Sequence, residues 1–223
     1  MIYYILGFVT VIITTLAEVF INICYGKYKN VSNNKNVSGF DAAKIILEKN
    51  NIDDIYVVET KGYLSDHYDS SAKAIRLSSD IYHNESIASC AVAAHEVGHA
   101  IQDKEGNTWM KIRRMIYPVV NFSSKFGYAV IFLGLVFGVM EVFYAGIILL
   151  SMILLFQLVT LPVEFDASRK AIKNLEKLNI LDNSELEGAS KVLKAAAFTY
   201  VASLSTTFIE ILRLLILTRE RDD

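Results

Sequence analysis

Apolar residues fall into long blocks along the chain, and the charges lie between them. Met1 to Gly26 contains one charge, Glu18. A bilayer core needs about 20 apolar residues of helix, so roughly 2–23 reads as a first span. The start MIYY has no Lys or Arg, and the apolar run is too long for the core of a signal peptide. The segment is therefore expected to stay attached as an anchor. Lys27 to Asn36, rich in Lys, Asn and Ser, is a polar linker, and Val37 to Arg114 reads as a soluble segment. A second apolar block runs from about Tyr117 to Met140, with Lys125 near its start, and Glu141 interrupts it. Val142 to Val163 is then 22 residues without a charge. The short link predicts a helical hairpin. Gly134 and Gly138 have the small-xxx-small spacing that lets membrane helices approach closely. The last block, Ala195 to Leu217, is long enough to span but carries Glu210 and Arg213, three apart on one helical face. It is either a fourth span or a helix packed on the soluble body.

Three basic clusters orient the spans. Lys27, Lys29 and Lys35 follow the first, Lys111, Arg113 and Arg114 precede the second, and Arg169, Lys170 and Lys173 follow the third. All fall on one side if the hairpin goes out and back, and that side is the cytoplasm. The protein is thus expected in the cell membrane, multi-pass, with its soluble segments on the cytoplasmic side.

Within the soluble segment, Phe40 to Lys49 has apolar residues at helical spacing, with Ser38 or Asp41 as its cap. Ile55 to Glu59 (IYVVE) and Ala74 to Leu77 (AIRL) read as short strands joined by a turn-rich connection. Ser86 to Gln102 is a long helix of small residues. The result is a small α+β body with a two- or three-stranded sheet feeding one helix.

Composition agrees. The chain of 223 residues is 53% hydrophobic yet 21% charged, with mean hydropathy +0.35. That excludes both an ordinary water-soluble globule and a disordered chain. A net charge of −2 gives no general drive toward nucleic acid. Cys24 and Cys90 are too few for a disulfide scaffold or a cysteine-rich zinc ribbon, and are expected as free thiols.

The candidate chemistry lies on the long helix, at His95-Glu96-Val97-Gly98-His99. Residues four apart share a helical face, so both imidazoles can reach one metal ion. Zinc commonly takes two such nitrogens and a carboxylate, keeping a fourth position for water. Glu96, beside the first histidine, is placed to act as general base and later as acid. This is the H-E-x-x-H pattern of zinc metallopeptidases. It arises by chance about once in a hundred chains of this length at average residue usage. Its flanks, Ala93, Ala94, Val97, Gly98, Ala100 and Ile101, are all uncharged, as a buried helix requires. Cys90, five residues before His95, is poorly placed as a nucleophile.

A third protein ligand is required, from Glu164, Asp166, His83, His67 or Asp103. Glu164 ends the most apolar span, where an unpaired charge is expensive and a metal would offset it. The competing reading is an interfacial acid at a helix start, because Pro162 can begin a new helical segment. His83, before the motif helix, is some three turns from His95 and too far to share the ion. His67 reads as an ordinary loop histidine or as part of the cleft lining.

VAAHEVGHAIQ, the upstream DHYDSSAKAIRLS and the downstream LPVEFDASRKA together resemble the YugP-like family of bacterial membrane zinc metallopeptidases. The resemblance covers nearly the whole chain. More distantly the sequence is similar to the HtpX and CAAX-prenyl membrane proteases, which are gluzincins. It implies a zincin-like catalytic body, His95, His99 and Glu164 as ligands of one Zn²⁺ per chain, and Glu96 as base. Gluzincins often carry an aspartate four residues after the ligand glutamate. Ser168 stands there in this chain, leaving the partner of His95 open, and Asp166 is expected to face elsewhere.

The expected fold is a mostly α membrane protein with a small α+β catalytic body and three to four membrane helices. Residues 1–26 form the first transmembrane helix and anchor, and 27–114 the cytoplasmic segment with the motif helix. Residues 115–163 form the membrane hairpin, and 164–223 the third-ligand helix and C-terminal apolar helix. The strand Ala74–Leu77 is expected to be the sheet edge on which an extended peptide substrate docks. Tyr200, or else His67, is the candidate oxyanion donor; the competing reading of Tyr200 is an interfacial aromatic anchor. The expected function is a membrane-embedded zinc endopeptidase acting on a peptide or membrane-protein substrate, with the lipid bilayer as its surroundings and no nucleic-acid partner. The alternative is a non-catalytic membrane scaffold with a structural zinc closed by His67 or Asp166. Transport through intramembrane histidines is disfavoured, because none of the four histidines lies in an apolar span.

Overall fold

The computed structural model describes residues 2–222, and side chains as far as Thr218; Met1 and Asp223, the outer ends of the first and last segments, lie outside the described residues. In chain order the elements are α1 (Ile2–Tyr28), α2 (Gly39–Lys49), β1 (Tyr56–Thr60), β2 (His67–Asp69), β3 (Ala74–Ser78), α3 (Ser79–His83), α4 (Ile87–Lys104), α5 (Thr108–Phe137), α6 (Met140–Lys177) and α7 (Asn183–Asp222). The protein is a mostly α membrane protein with a small α+β body. Four helices, α1, α5, α6 and α7, are long and apolar enough to cross a membrane. The final block is therefore part of a fourth such helix.

Contacts divide the chain into two compact units. One holds 1–18, 108–162 and 198–223, and the other 19–107 and 163–197.

In the first unit the hairpin of α5 and α6 is held by close backbone approach. A Cβ on Gly134 would lie 2.4 Å from the Phe143 nitrogen, and one on Gly146 would lie 2.8 Å from the Ile131 nitrogen. Ile131, Phe143, Ile147 and Leu150 pack there with Leu214 of α7. Gly138 has a different role from the helix-packing one its spacing suggested. It takes φ +68° just past α5, and the Val139 N–H donates to the Gly134 carbonyl. That is a glycine helix stop, which sets the tight link. Glu210 and Arg213 pair at 2.8 Å on α7, so neither charge is left alone in its apolar run. Large apolar side chains on α1 such as Tyr4, Phe8 and Val11 point outward, the surface a lipid-facing helix presents.

In the second unit the core is Ile46, Leu47, Ile75, Leu77, Ile81 and the small residues of α4, joined by Ala171, Leu175, Val192 and Leu193. Ser38 caps α2 by accepting from the Asp41 N–H, as the sequence pattern predicts. Ser86 caps α4 by accepting from the Ser89 N–H. The sheet has three strands in the order β1-β3-β2. β3 is parallel to β1 and antiparallel to β2, with Tyr68 opposite Ile75. The expectation that Ala74–Leu77 forms the edge is overturned, since β3 is the centre. The turn-rich connection folds back as β2 and takes the edge position itself.

Pro162 also behaves differently from expectation. It lies inside α6, which runs unbroken from Met140 to Lys177. The missing N–H removes one helical hydrogen bond without starting a new helix. Glu164 therefore sits mid-helix.

Candidate metal centre

His95 and His99 lie one turn apart on α4, with their ring centroids 4.8 Å apart. Glu164 of α6 faces both. Its Oε2 is 3.2 Å from His95 Nε2 and 3.6 Å from His99 Nε2. The two helices come this close because Gly98, between the histidines, has no side chain: a Cβ there would lie 2.6 Å from the Ala167 carbonyl oxygen. Glu164 and His99 are buried, and the His95 side chain is 15% exposed.

The donor set fits zinc. Ligands about 2.0–2.1 Å from a tetrahedral zinc stand roughly 3.3 Å from one another, which the two observed Nε2–Oε2 separations bracket. Ligand atoms of the three residues all lie within 4.8 Å of one another. Both Nδ1 atoms are occupied elsewhere, so it is Nε2 that each ring turns to the shared point. His95 Nδ1 is 3.2 Å from the Ser168 hydroxyl, and His99 Nδ1 is 3.0 Å from Gln102 Oε1. Ser168, the residue that departs from the gluzincin pattern, thus still reaches His95. Burial lowers the His99 pKa, but the Glu164 carboxylate, with smaller help from Glu96 and Gln102, reverses this and leaves it raised.

Glu96 is buried on the same helix, and its carboxylate accepts from the backbone N–H of Tyr68 at 2.9 Å. That N–H belongs to the edge strand β2 and turns to Glu96. The Tyr68 hydroxyl donates to Asp103 at 3.0 Å, holding β2 against α4. Asp66, just before β2, accepts from the Ser78 N–H and hydroxyl. Burial raises the Asp66 pKa against those hydrogen bonds, and the nearby Glu96 charge adds to the rise.

His83 is on α3, 3.4 Å from Glu59. His67 opens β2 with an exposed side chain, and its Nδ1 donates to the Ser65 carbonyl at 2.8 Å. Tyr200 is on α7 in the other unit, 37% exposed. Asp166 does not face away as expected: its carboxylate accepts from Gln102 Nε2 at 2.9 Å. Gln102 and Tyr68 are the residues sequence reasoning missed. Gln102 stands three positions after His99 in HAIQ, a spacing that puts it beside that ring. Tyr68 gave no comparable signal, since strand order is not local.

A family model described as "Putative neutral zinc metallopeptidase" matches residues 3–219. The chain belongs to this family. It is also 39% identical over 200 residues to the "Putative membrane protease YugP" of Bacillus subtilis (strain 168), covering 89% of each chain. No solved structure matches. His95, Glu96, His99 and Glu164 all lie within the matched span.

Proposed function

We propose that this chain is a membrane-embedded zinc endopeptidase. His95, His99 and Glu164 hold one zinc ion, and Glu96 is the general base. The observation that carries the reading is the convergence of two Nε2 atoms and one carboxylate oxygen on a single point, next to a further buried carboxylate. When bound, zinc supplies Lewis-acid polarisation of the scissile carbonyl and makes water more acidic. Glu96 takes the proton from the attacking water and delivers it to the leaving amine. Its contact with the Tyr68 N–H fixes the carboxylate beside β2. An extended peptide adds to the β2 edge, so its scissile bond runs past Glu96. The basic clusters beside the apolar blocks support placing this site on the cytoplasmic side.

The scaffold alternative needs a fourth protein ligand to close the site. Among the described residues the group holds three, which leaves a position for water. The deciding experiment is Glu96→Gln in the purified full chain. It should retain zinc and lose proteolysis by about 10²–10⁴-fold, the usual contribution of a general base. Cleavage at the wild-type rate would refute the mechanism.

A further inference from the structure

We propose that Gln102 and Asp166 are positioning residues that fix the tautomer of His99. The inference rests on the zinc-site reading and concerns how that site is kept ready.

Gln102 is wholly buried, one turn beyond His99. Its amide nitrogen donates to two acceptors at once, the Val163 carbonyl at 2.8 Å and Asp166 Oδ2 at 2.9 Å. A side-chain amide has donors on one end and an acceptor on the other. A flip would aim the amide oxygen at a carbonyl and a carboxylate, and leave a buried donor facing the imidazole. Two acceptors on one side therefore dictate which end faces His99. That end is Oε1, an acceptor 3.0 Å from Nδ1. Nδ1 must carry the hydrogen, so in the neutral ring Nε2 carries the lone pair, facing Glu164 3.6 Å away.

Asp166 is itself held by cations of its own helix. Lys170 lies 3.9 Å and Arg169 3.8 Å from its carboxylate, and Lys170 also pairs with Glu105 at 2.6 Å. The contacts link α4 to α6 on both sides of Glu164, since Val163 directly precedes it and Asp166 follows two residues later. His95 has no such device. Its partner, the Ser168 hydroxyl, can donate or accept, so it does not impose a tautomer. The arrangement is thus asymmetric, with His99 locked and His95 free to adapt.

The test uses full-length protein in detergent with ¹⁵N-labelled histidine. Metal-free wild type, at a pH high enough for the His99 ring to be neutral, should show His99 as the Nδ1–H tautomer in long-range ¹H–¹⁵N correlations. Gln102→Met removes both ends of the amide at similar volume. It should mix the His99 tautomers and weaken zinc binding about 10–100-fold in chelator competition, the usual range for loss of such a support. Gln102→Glu keeps an acceptor for His99 but sets it against Asp166 and the Val163 carbonyl, so it should also bind zinc more weakly. Adding Asp166→Asn supplies a donor and should recover most of that loss. If Gln102→Met does not fold, Gln102→Glu with and without Asp166→Asn still decides. Equal zinc affinities for that single and double variant, or an unchanged His99 tautomer and zinc affinity in Gln102→Met, overturn the proposal. Failure of wild type to bind zinc would instead overturn the functional reading beneath it.

Discussion

Gly98→Ala should damage the metal site more than it damages the fold. An added Cβ would meet the Ala167 carbonyl oxygen at 2.6 Å and the Ala167 carbonyl carbon and Cα at 3.1 Å. All three atoms are backbone of α6, so no side chain can swing aside. Ordinary contact begins near 3.4 Å, and the shortfall from 2.6 Å is about 0.8 Å of helix separation. Metal–ligand distances tolerate about 0.2 Å, so a shift of that size on the Glu164 side is several times too large. The effect on folding is smaller, because two terms oppose. Overpacking a core typically costs about 1–3 kcal/mol, while replacing glycine by alanine within a helix returns about 1 kcal/mol. The net is roughly 0–2 kcal/mol. Zinc affinity from chelator competition and thermal unfolding of the metal-free protein separate the two effects. Tenfold or greater loss of zinc affinity with a folded apo-protein is expected. Wild-type zinc affinity in Gly98→Ala would show that close approach of α4 and α6 does not set the site.

Further outcomes follow from the titration behaviour of two buried groups. Burial pushes the Cys90 thiol up to about 12, with the Glu185 and Asp41 charges adding. In a Cys24→Ser background the native protein should resist iodoacetamide near pH 8 and react once unfolded; fast native alkylation would contradict this. A thiol pKa raised on folding leaves stability intact below the ordinary value of 9.0, and stability declines as pH rises from there toward about 12. The raised His99 pKa has the opposite practical sign, since protons compete with zinc for Nε2. Zinc affinity should begin to fall while pH is still above the ordinary imidazole value of 6.5, and then drop about tenfold per pH unit. Chelator competition from pH 8 downward measures it, and a flat response to pH 6 would contradict it.

The sequence made the local parts of this site legible. His95, Glu96 and His99 are within one helical turn and a half, so spacing alone places them together. Glu164 was legible because a carboxylate at the end of an apolar span demands a partner. The apolar blocks also announced three long helices and left the last block between a span and a packed helix, and the helix ends extend past the blocks: α5 begins at Thr108, among residues more polar than those of its apolar block. What escaped was non-local. Edge and centre of the sheet depend on the β2 segment folding back onto β3, and a three-residue strand in a turn-rich stretch carries almost no pattern. Gln102 and Asp166 meet only because α4 and α6 pack at Gly98, so neither residue could be paired with the other beforehand. Pro162 misled because its usual place is a helix start, whereas a long apolar helix can run through it.

The central claim is that one zinc ion is held by His95, His99 and Glu164. X-ray absorption at the zinc edge, on purified wild type and Glu164→Ala, tests it most directly. The wild-type spectrum should fit two imidazole nitrogens and oxygen at about 2.0–2.1 Å, with no sulfur. The variant should lose the metal or show one ligand replaced. A sulfur shell in wild type, or identical spectra and zinc content in the two proteins, would contradict the account.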